Sequence, residues 1–227
     1  MPDPHLSVTF VKELNLLAAG FFLLATFGLV ATRQVLDCVA LFAGQSLLLA
    51  ASAGLLGHEA ASYHLYTVAA ITVAVKVVII PWLLRRTTSE AMVARREISQ
   101  ALNIPTSLLL SLALTILAFF LAAPLEAAVA GGRPGVNLSI GLATLLVGAF
   151  TVAVRREALP QMLGLLSMEN GAFFAGVGIA PDLPLFAELA AAFDVLVISL
   201  VLGLLMRKLH EQTGSTAVAE LTNLREE

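Results

Sequence analysis

Seven apolar stretches, each about as long as a bilayer is thick, constrain the fold of this 227-residue chain more than any other feature. A helix needs roughly 20 mostly apolar residues to cross the hydrocarbon core of a membrane. Helix breakers fall between several of the stretches, as at Gly57, Pro124, residues 131–135 (GGRPG) and residues 180–184 (APDLP). The stretches cover residues 12–32, 35–57, 64–84, 105–125, 135–154, 158–180 and 184–207. The sequence therefore predicts an all-α integral membrane protein with seven transmembrane helices.

The positive charges lie almost entirely on one side of this seven-span arrangement. Only Lys12 and Arg133 fall on the other side, and Lys76 lies inside a span. Cytoplasmic loops are enriched in Lys and Arg, so we expect the N-terminus outside and the C-terminus in the cytoplasm of a prokaryotic inner (cytoplasmic) membrane. These charges follow membrane topology and do not form a nucleic-acid patch. The ten on the cytoplasmic side are Arg33, Arg85, Arg86, Arg95, Arg96, Arg155, Arg156, Arg207, Lys208 and Arg225.

Two segments 122 residues apart resemble each other and predict an internal repeat. Residues 14–34 read LNLLAAGFFLLATFGLVATRQ, and residues 136–156 read VNLSIGLATLLVGAFTVAVRR. The middle spans of the two halves align when the offset of 122 is increased by two residues. In this alignment Gln45 corresponds to Glu169, and Ser46 corresponds to Asn170. Both halves end on the cytoplasmic side, so we expect a parallel repeat of spans 1–3 and 5–7, linked by span 4.

The predicted organisation follows from these spans. Residues 1–84 form an amino-terminal three-helix repeat, and residues 85–134 form a cytoplasmic amphipathic linker followed by span 4. Residues 135–208 form the second three-helix unit, and residues 209–227 form a polar cytoplasmic tail.

Four ionisable side chains lie deep inside the predicted spans: Lys76, Glu169, Glu188 and Asp194. Inserting an Asp or Lys at the centre of a membrane helix costs about 2.5–3.5 kcal/mol, and such residues commonly mark ion or proton paths. Glu169 and Asp194 stand 13 and 12 residues from Asp182, in the turn between spans 6 and 7. At about 1.5 Å per residue, both carboxylates lie near the bilayer midplane.

Low polarity favours the neutral form of a carboxylate, which can then take up and release protons. Lys76 lies at a similar depth and is too far from the interface to reach it, so it must be paired, hydrated or neutral. The structural alternatives are an interior ion pair for Lys76, a protonated Glu169 hydrogen-bonded beside Asn170, and a water-facing Glu188. Gln45 is the polar repeat counterpart of Glu169.

Motifs for bond chemistry are absent from the sequence. It contains no phosphate-binding glycine loop, His-x-x-x-His pair or serine nucleophile elbow, and its one cysteine, Cys38, lies in a predicted span. We therefore expect neither a cofactor nor a metal in this chain, and no enzymatic activity of its own.

The stretch LLSMENGAFF, followed by ELAAAFDVLVISLVLGLLMRK, resembles the K-type membrane subunit of respiratory complex I. Ser167 and Glu169 match that family's serine and glutamate in the middle helix, with Asn170 directly after the glutamate. Asp194 stands 13 residues before Arg207, where the family has its second acidic residue. With its additional amino-terminal half, the whole chain resembles the hydrogenase-4 component E family, membrane subunits of formate hydrogenlyase-type group 4 nickel–iron hydrogenases.

This resemblance implies a subunit of a complex I-like oxidoreductase. Antiporter-like membrane subunits and a membrane-anchoring subunit would be its partners in the bilayer. The nickel–iron (NiFe) centre and the iron–sulfur clusters would lie in other chains. Glu169 and Asp194 would be relay carboxylates for proton translocation. Lys76 has no counterpart in the K-type subunit, so its role rests on burial alone: we expect Lys76 and Glu188 to join the relay and tune the two carboxylates, with Asn170 and Gln45 as supporting polar groups.

Three hypotheses follow. The first is a non-catalytic, proton-translocating subunit of a membrane-bound hydrogenase or of another complex I-like oxidoreductase. The second is a scaffold that docks antiporter-like subunits and uses its buried charges only as interface pairs. The third is an independent secondary transporter, which the absence of Gly/Pro-interrupted spans at matching positions disfavours.

Overall fold

The computed structural model describes residues 4–87, 100–128 and 136–179, together with the single positions Ser199 and Gly203. Within these ranges the chain is helical and contains no strand, and Gln100 forms an isolated bridge with Arg155. The predicted seventh span, with Glu188 and Asp194, and residues 88–99 of the cytoplasmic linker lie outside the described residues.

The helices follow the apolar stretches closely. They are α1 (Pro4–Ala31), α2 (Val35–Ala60), α3 (Tyr63–Thr72), a π-helical segment (Val73–Ile79), α4 (Ile80–Thr87), α5 (Ile104–Ala128), α6 (Asn137–Val154) and α7 (Ala158–Ile179). Segment α3, the π-helical turns and α4 run on without a break and form the third span.

Five helical stretches in the described part are long and apolar enough to cross a membrane. They coincide with the first five predicted spans: Thr9–Ala31, Val35–Glu59, Tyr63–Arg85, Ile104–Ala127 and Asn137–Val154. Helix α7 coincides with the predicted sixth span and has 22 residues, but polar residues interrupt its apolar sequence. The seven-span count, the orientation and the repeat stay predictions.

Helices α6 and α7 pack backbone against backbone through glycines. A Cβ added to Gly148 would lie 2.7 Å from the Met168 nitrogen, and one added to Gly171 would lie 2.6 Å from the Leu145 nitrogen. On the same seam, a Cβ added to Gly141 would contact the Ala175 nitrogen even more closely, and one added to Gly164 would lie 3.1 Å from the Val152 nitrogen. Small residues let membrane helices approach this closely and gain dispersion energy that lipid does not supply. This contact fixes α7 against α6.

The amino-terminal half packs more openly. Helices α1 and α2 form an antiparallel pair, but Gly20, Gly44 and Gly54 have no atom within 4 Å of an added Cβ. An open apolar groove follows this pair on the outside of the bundle. On the inside, α1 contacts α6 and α2 contacts α7, so the two pairs meet along a common interface. Helix α5 packs on α6 and α1 and leaves most of its leucines and phenylalanines facing outwards.

Buried apolar residues form separate clusters at two levels of this interface. The cluster towards the end of α1 includes Leu29, Val39, Phe42, Ile80, Leu163 and Leu166. The cluster towards its beginning includes Ala19, Phe22, Leu49, Ile140 and Phe174. The layer between them contains the polar residues described next.

Candidate functional site

An ion pair between Lys76 and Glu169 lies at the centre of the bundle. The Lys76 ammonium donates a hydrogen bond to Oε1 of Glu169 over 3.0 Å, and the side chains are 4% and 18% exposed. The ammonium also donates to Oδ1 of Asn170 over 3.2 Å and lies 4.5 Å from the centre of the Phe173 ring. Of the states open to Lys76 from its sequence position, the structure shows the paired one.

Lys76 sits in the π-helical segment Val73–Ile79, and the sequence explains why this segment is not α-helical. Pro81 lies two residues after its end and has no backbone N–H, so it cannot donate the α-helical hydrogen bond to the carbonyl four residues earlier. The Ile80 N–H donates to the Val75 carbonyl, five residues back. The added residue per turn changes the direction in which later side chains point, and π-helical turns are frequent at functional sites.

Asn170 connects the ion pair to α2. Its Nδ2 donates to Oε1 of Gln45 over 3.1 Å and to Oγ of Ser46 over 2.9 Å. The reverse amide orientation would turn an NH₂ group towards the Lys76 ammonium, so the cation fixes this one. Ser46 and Asn170 are counterparts in the predicted repeat, and they contact each other directly.

The network continues through Gln45 into α1 and α6. Gln45 Nε2 donates to Oγ1 of Thr26 over 2.8 Å and to Oγ of Ser167 over 2.9 Å. The Thr26 hydroxyl donates to the Phe22 carbonyl, so Thr144 is the donor in the 3.2 Å contact between the two threonines. Hydrogen bonding offsets the cost of burying these groups, which otherwise exceeds 1 kcal/mol for each unpaired group.

Glu169 is the exception to this pattern of hydrogen-bonded polar groups. Its Oε1 accepts from Lys76, but among the described residues no hydrogen-bond donor reaches its buried Oε2. The carboxylate is also the most exposed member of the pair. One carboxylate oxygen is therefore held by a cation, and the other is left for a proton, a water molecule or a donor from elsewhere.

The buried side chain of Arg155 binds the backbone at the C-terminal end of α1. The charge pattern of the sequence predicts a position at the cytoplasmic surface for this arginine. Arg155 Nη2 donates to the carbonyls of Leu29, Val30 and Thr32 over 2.7, 3.1 and 2.8 Å. These carbonyls lack helical partners, and a cation at a helix C-terminus also offsets its partial negative charge. Burial lowers the pKa of Arg155, because desolvation disfavours the charged guanidinium.

Sequence reasoning found Lys76, Glu169, Asn170 and Gln45, and the structure brings these four together. Glu188 and Asp194 lie outside the described residues, so their positions relative to Glu169 stay predictions. Reasoning from ionisable residues alone missed the buried hydroxyls of the network, which are Thr26, Ser46, Thr144 and Ser167. Ser46 was visible only as the repeat counterpart of Asn170.

Over residues 4–87, 100–128 and 136–179, no group of three or more His, Cys, Asp or Glu side chains could hold a metal ion. The network has one cation, one carboxylate, and otherwise amides and hydroxyls. Such groups can exchange and stabilise protons, and they offer no nucleophile with an adjacent base.

Comparison with known proteins finds bacterial relatives that align over most of the chain. It is 31% identical over 212 residues to Uncharacterized protein Rv0085 of Mycobacterium tuberculosis, covering 92% of this chain and 94% of that protein. It is 26% identical over 209 residues to Hydrogenase-4 component E of Escherichia coli K12 and of Shigella flexneri, covering 91% of this chain and 95% of each.

No protein-family model matches the chain, and no solved structure matches it. The curated relatives align over nearly their whole length, so the similarity extends across both predicted halves. The chain therefore belongs to one family with Rv0085 of Mycobacterium tuberculosis and is a distant homologue of hydrogenase-4 component E.

Proposed function

We propose that this chain is a non-catalytic membrane subunit of a complex I-like hydrogenase complex and that it passes protons along the plane of the membrane. The homology to hydrogenase-4 component E suggests a membrane subunit of a hydrogenase complex. The ion pair of Lys76 and Glu169 supports the proposed proton transfer. It places a cation and a carboxylate inside an apolar bundle, and Oε2 of that carboxylate has no hydrogen-bond donor among the described residues.

The proposed step occurs at Glu169 Oε2. A proton that arrives there converts the carboxylate into a carboxylic acid and removes its charge, which weakens the ion pair with Lys76. Asn170 and the Phe173 ring still hold the ammonium in place, so the cation stays near the midplane. Release of the proton restores the ion pair and returns the site to its first state.

Asn170 and Gln45 do not carry protons in this scheme, since amides neither gain nor lose them near neutral pH. Asn170 accepts a hydrogen bond from Lys76, and Gln45 on α2 holds the Asn170 amide in the orientation that this bond requires. Protons therefore enter and leave on the Glu169 side, where Asp194 and Glu188 of the predicted seventh span and the antiporter-like partner subunits are the proposed next groups. The proposed location is the prokaryotic inner membrane, and redox cofactors would lie in partner chains.

The test replaces Glu169 with Gln in the assembled complex. Hydrogen-dependent reduction of a soluble dye reports the catalytic arm, and a pH-sensitive fluorophore inside sealed vesicles reports proton movement. Glu169→Gln should leave dye reduction intact and abolish proton movement. Glu59→Gln, which removes a carboxylate paired with Lys12 at the end of α2, is the matched control and should change neither. Normal proton movement in assembled Glu169→Gln complex would refute the proposal.

A scaffold function is the second candidate. A buried ion pair such as that of Lys76 and Glu169 can also serve only to hold helices together. The double variant Lys76→Gln with Glu169→Gln separates the two. It replaces the charges by amides that can hydrogen-bond to each other, so a scaffold would still assemble and the complex would still move protons. The relay proposal expects assembly without proton movement.

A further inference from the structure

We propose that Phe22 and Phe174 form an aromatic seal that separates the midplane polar network from the side of the membrane on which α1 begins. This inference rests on the proposed proton-transfer function, since a seal is needed only where charges move. It adds two apolar residues to a site otherwise defined by polar ones.

The two rings lie directly against the network. Their centroids are 4.2 Å apart with an interplanar angle of 15°, and both side chains are fully buried. Phe22 precedes Thr26 by one helical turn, and Phe174 follows Asn170 by one turn. The Thr26 hydroxyl donates to the Phe22 carbonyl over 3.0 Å. One ring comes from each predicted half, so the stack bridges the interface on which the network lies.

A second polar cluster lies beyond the rings. Asn15 Nδ2 donates to Oδ1 of Asn137 over 2.9 Å, and Asn137 Nδ2 donates to Oγ of Ser52 over 3.0 Å. The Ser52 hydroxyl donates to Oδ1 of Asn15 over 2.6 Å and closes the ring. Asn15 lies 11 residues before Thr26 on α1, which is about 16 Å of helical rise.

The stacked rings and their apolar neighbours fill the space between the two polar clusters. Ala19, Leu49 and Ile140 complete the packing around the rings. A charge cannot cross such a layer without water, and a dry, close-packed apolar region holds none. Without the rings, only the smaller side chains of this layer would separate the two polar clusters. The seal therefore confines proton movement to the plane of the membrane.

The first experiment measures water access without relying on proton transfer. In a Cys38→Ser background, Thr144→Cys places a thiol in the buried network, and a membrane-impermeant maleimide is added to sealed vesicles from each side. The thiol should be unreactive with Phe22 present. Phe22→Ala and Phe174→Ala should raise its labelling about tenfold or more from the side where α1 begins, because the cavity left by the ring admits water beside polar groups.

Two controls accompany the labelling. Phe22→Leu keeps an apolar side chain in place and should leave the thiol unreactive. Phe21→Ala removes a neighbouring ring that is 51% exposed on the outside of the bundle and should also change nothing. Incorporation of each variant into the complex checks folding. Unchanged labelling in an assembled Phe22→Ala or Phe174→Ala variant would overturn the seal.

A second experiment separates the seal from the proposed function. Passive proton leak is measured in vesicles with the assembled complex and no redox substrate, and Phe22→Ala should raise it. Adding Glu169→Gln should return the leak to its original level. If labelling rises but the leak does not depend on Glu169, the seal stands and the relay fails. If labelling is unchanged while Glu169→Gln still stops coupled proton movement, the relay stands and the seal fails.

Discussion

The close backbone approach between α6 and α7 makes a quantitative prediction about glycine replacement. In Gly148→Ala the new Cβ would meet the Met168 nitrogen at 2.7 Å, whereas ordinary contact begins at 3.4 Å. The helices would therefore have to separate by about 0.7 Å locally, and the obstructing atoms are backbone atoms that cannot rotate away.

In Gly148→Ala, overpacking lowers the stability of the protein, whereas the higher helix propensity of alanine raises it. Overpacking a tight interface costs about 1–3 kcal/mol, and the higher helix propensity of alanine returns up to about 1 kcal/mol. A net loss near 2 kcal/mol lowers the melting temperature by about 4–8 °C in a chain of this size. Gly44→Ala is the matched control, since its Cβ would meet no atom within 4 Å. It should leave the melting temperature unchanged or raise it.

The reactivity of Cys38 can be used to follow thermal unfolding. It is the single cysteine of the chain and is buried, so a fluorogenic maleimide reacts with it only as the protein unfolds. Melting curves of the full chain in detergent then compare the two alanine variants with the parent. A Gly148→Ala variant as stable as the Gly44→Ala variant would refute the argument that backbone contact between α6 and α7 determines stability.

Substitutions at three other sites test the polar contacts. Asn170→Leu should destabilise the chain by about 2 kcal/mol or more in the same melting assay. The substitution removes one hydrogen-bond acceptor from the Lys76 cation and leaves buried groups on α2 unpaired. A loss of stability below about 0.5 kcal/mol would contradict this prediction. Arg155→Ala should destabilise by about 2–4 kcal/mol, with partial recovery in Arg155→Lys, since a lysine still donates to the carbonyls at the end of α1. Asn15→Leu and Asn137→Leu should each destabilise, and the double variant should lose less than their sum, because both break the same hydrogen-bonded ring; simple additivity would contradict that contact.

The sequence was sufficient to predict the first five spans, and the reason is physical. Each helix needs a bilayer-length apolar stretch, and glycine, proline and charge end it at the surface. The first five predicted spans therefore coincide with apolar helices of the structure. Burial energetics similarly singled out Lys76 and Glu169, because a charge within an apolar segment is costly wherever the helix points.

The contacts between helices could not be predicted in the same way. Hydropathy gives the depth of a residue but not the face of the bundle on which it lies, so it could not show that Lys76 pairs with Glu169. The π-helical segment adds to this difficulty, since it turns Lys76 away from its α-helical direction. Arg155 looked like a surface charge because its acceptors are backbone carbonyls of α1, which no side-chain pattern reveals.

Proton uptake and release by Glu169 during turnover is the central claim, and infrared difference spectroscopy of the assembled complex tests it most directly. Starting turnover with hydrogen should change a carbonyl stretching band of a protonated carboxylic acid. That band should be missing in Glu169→Gln and retained in the control Glu59→Gln. A band that persists unchanged in assembled Glu169→Gln complex would contradict the claim, because another carboxyl group would then be carrying the proton.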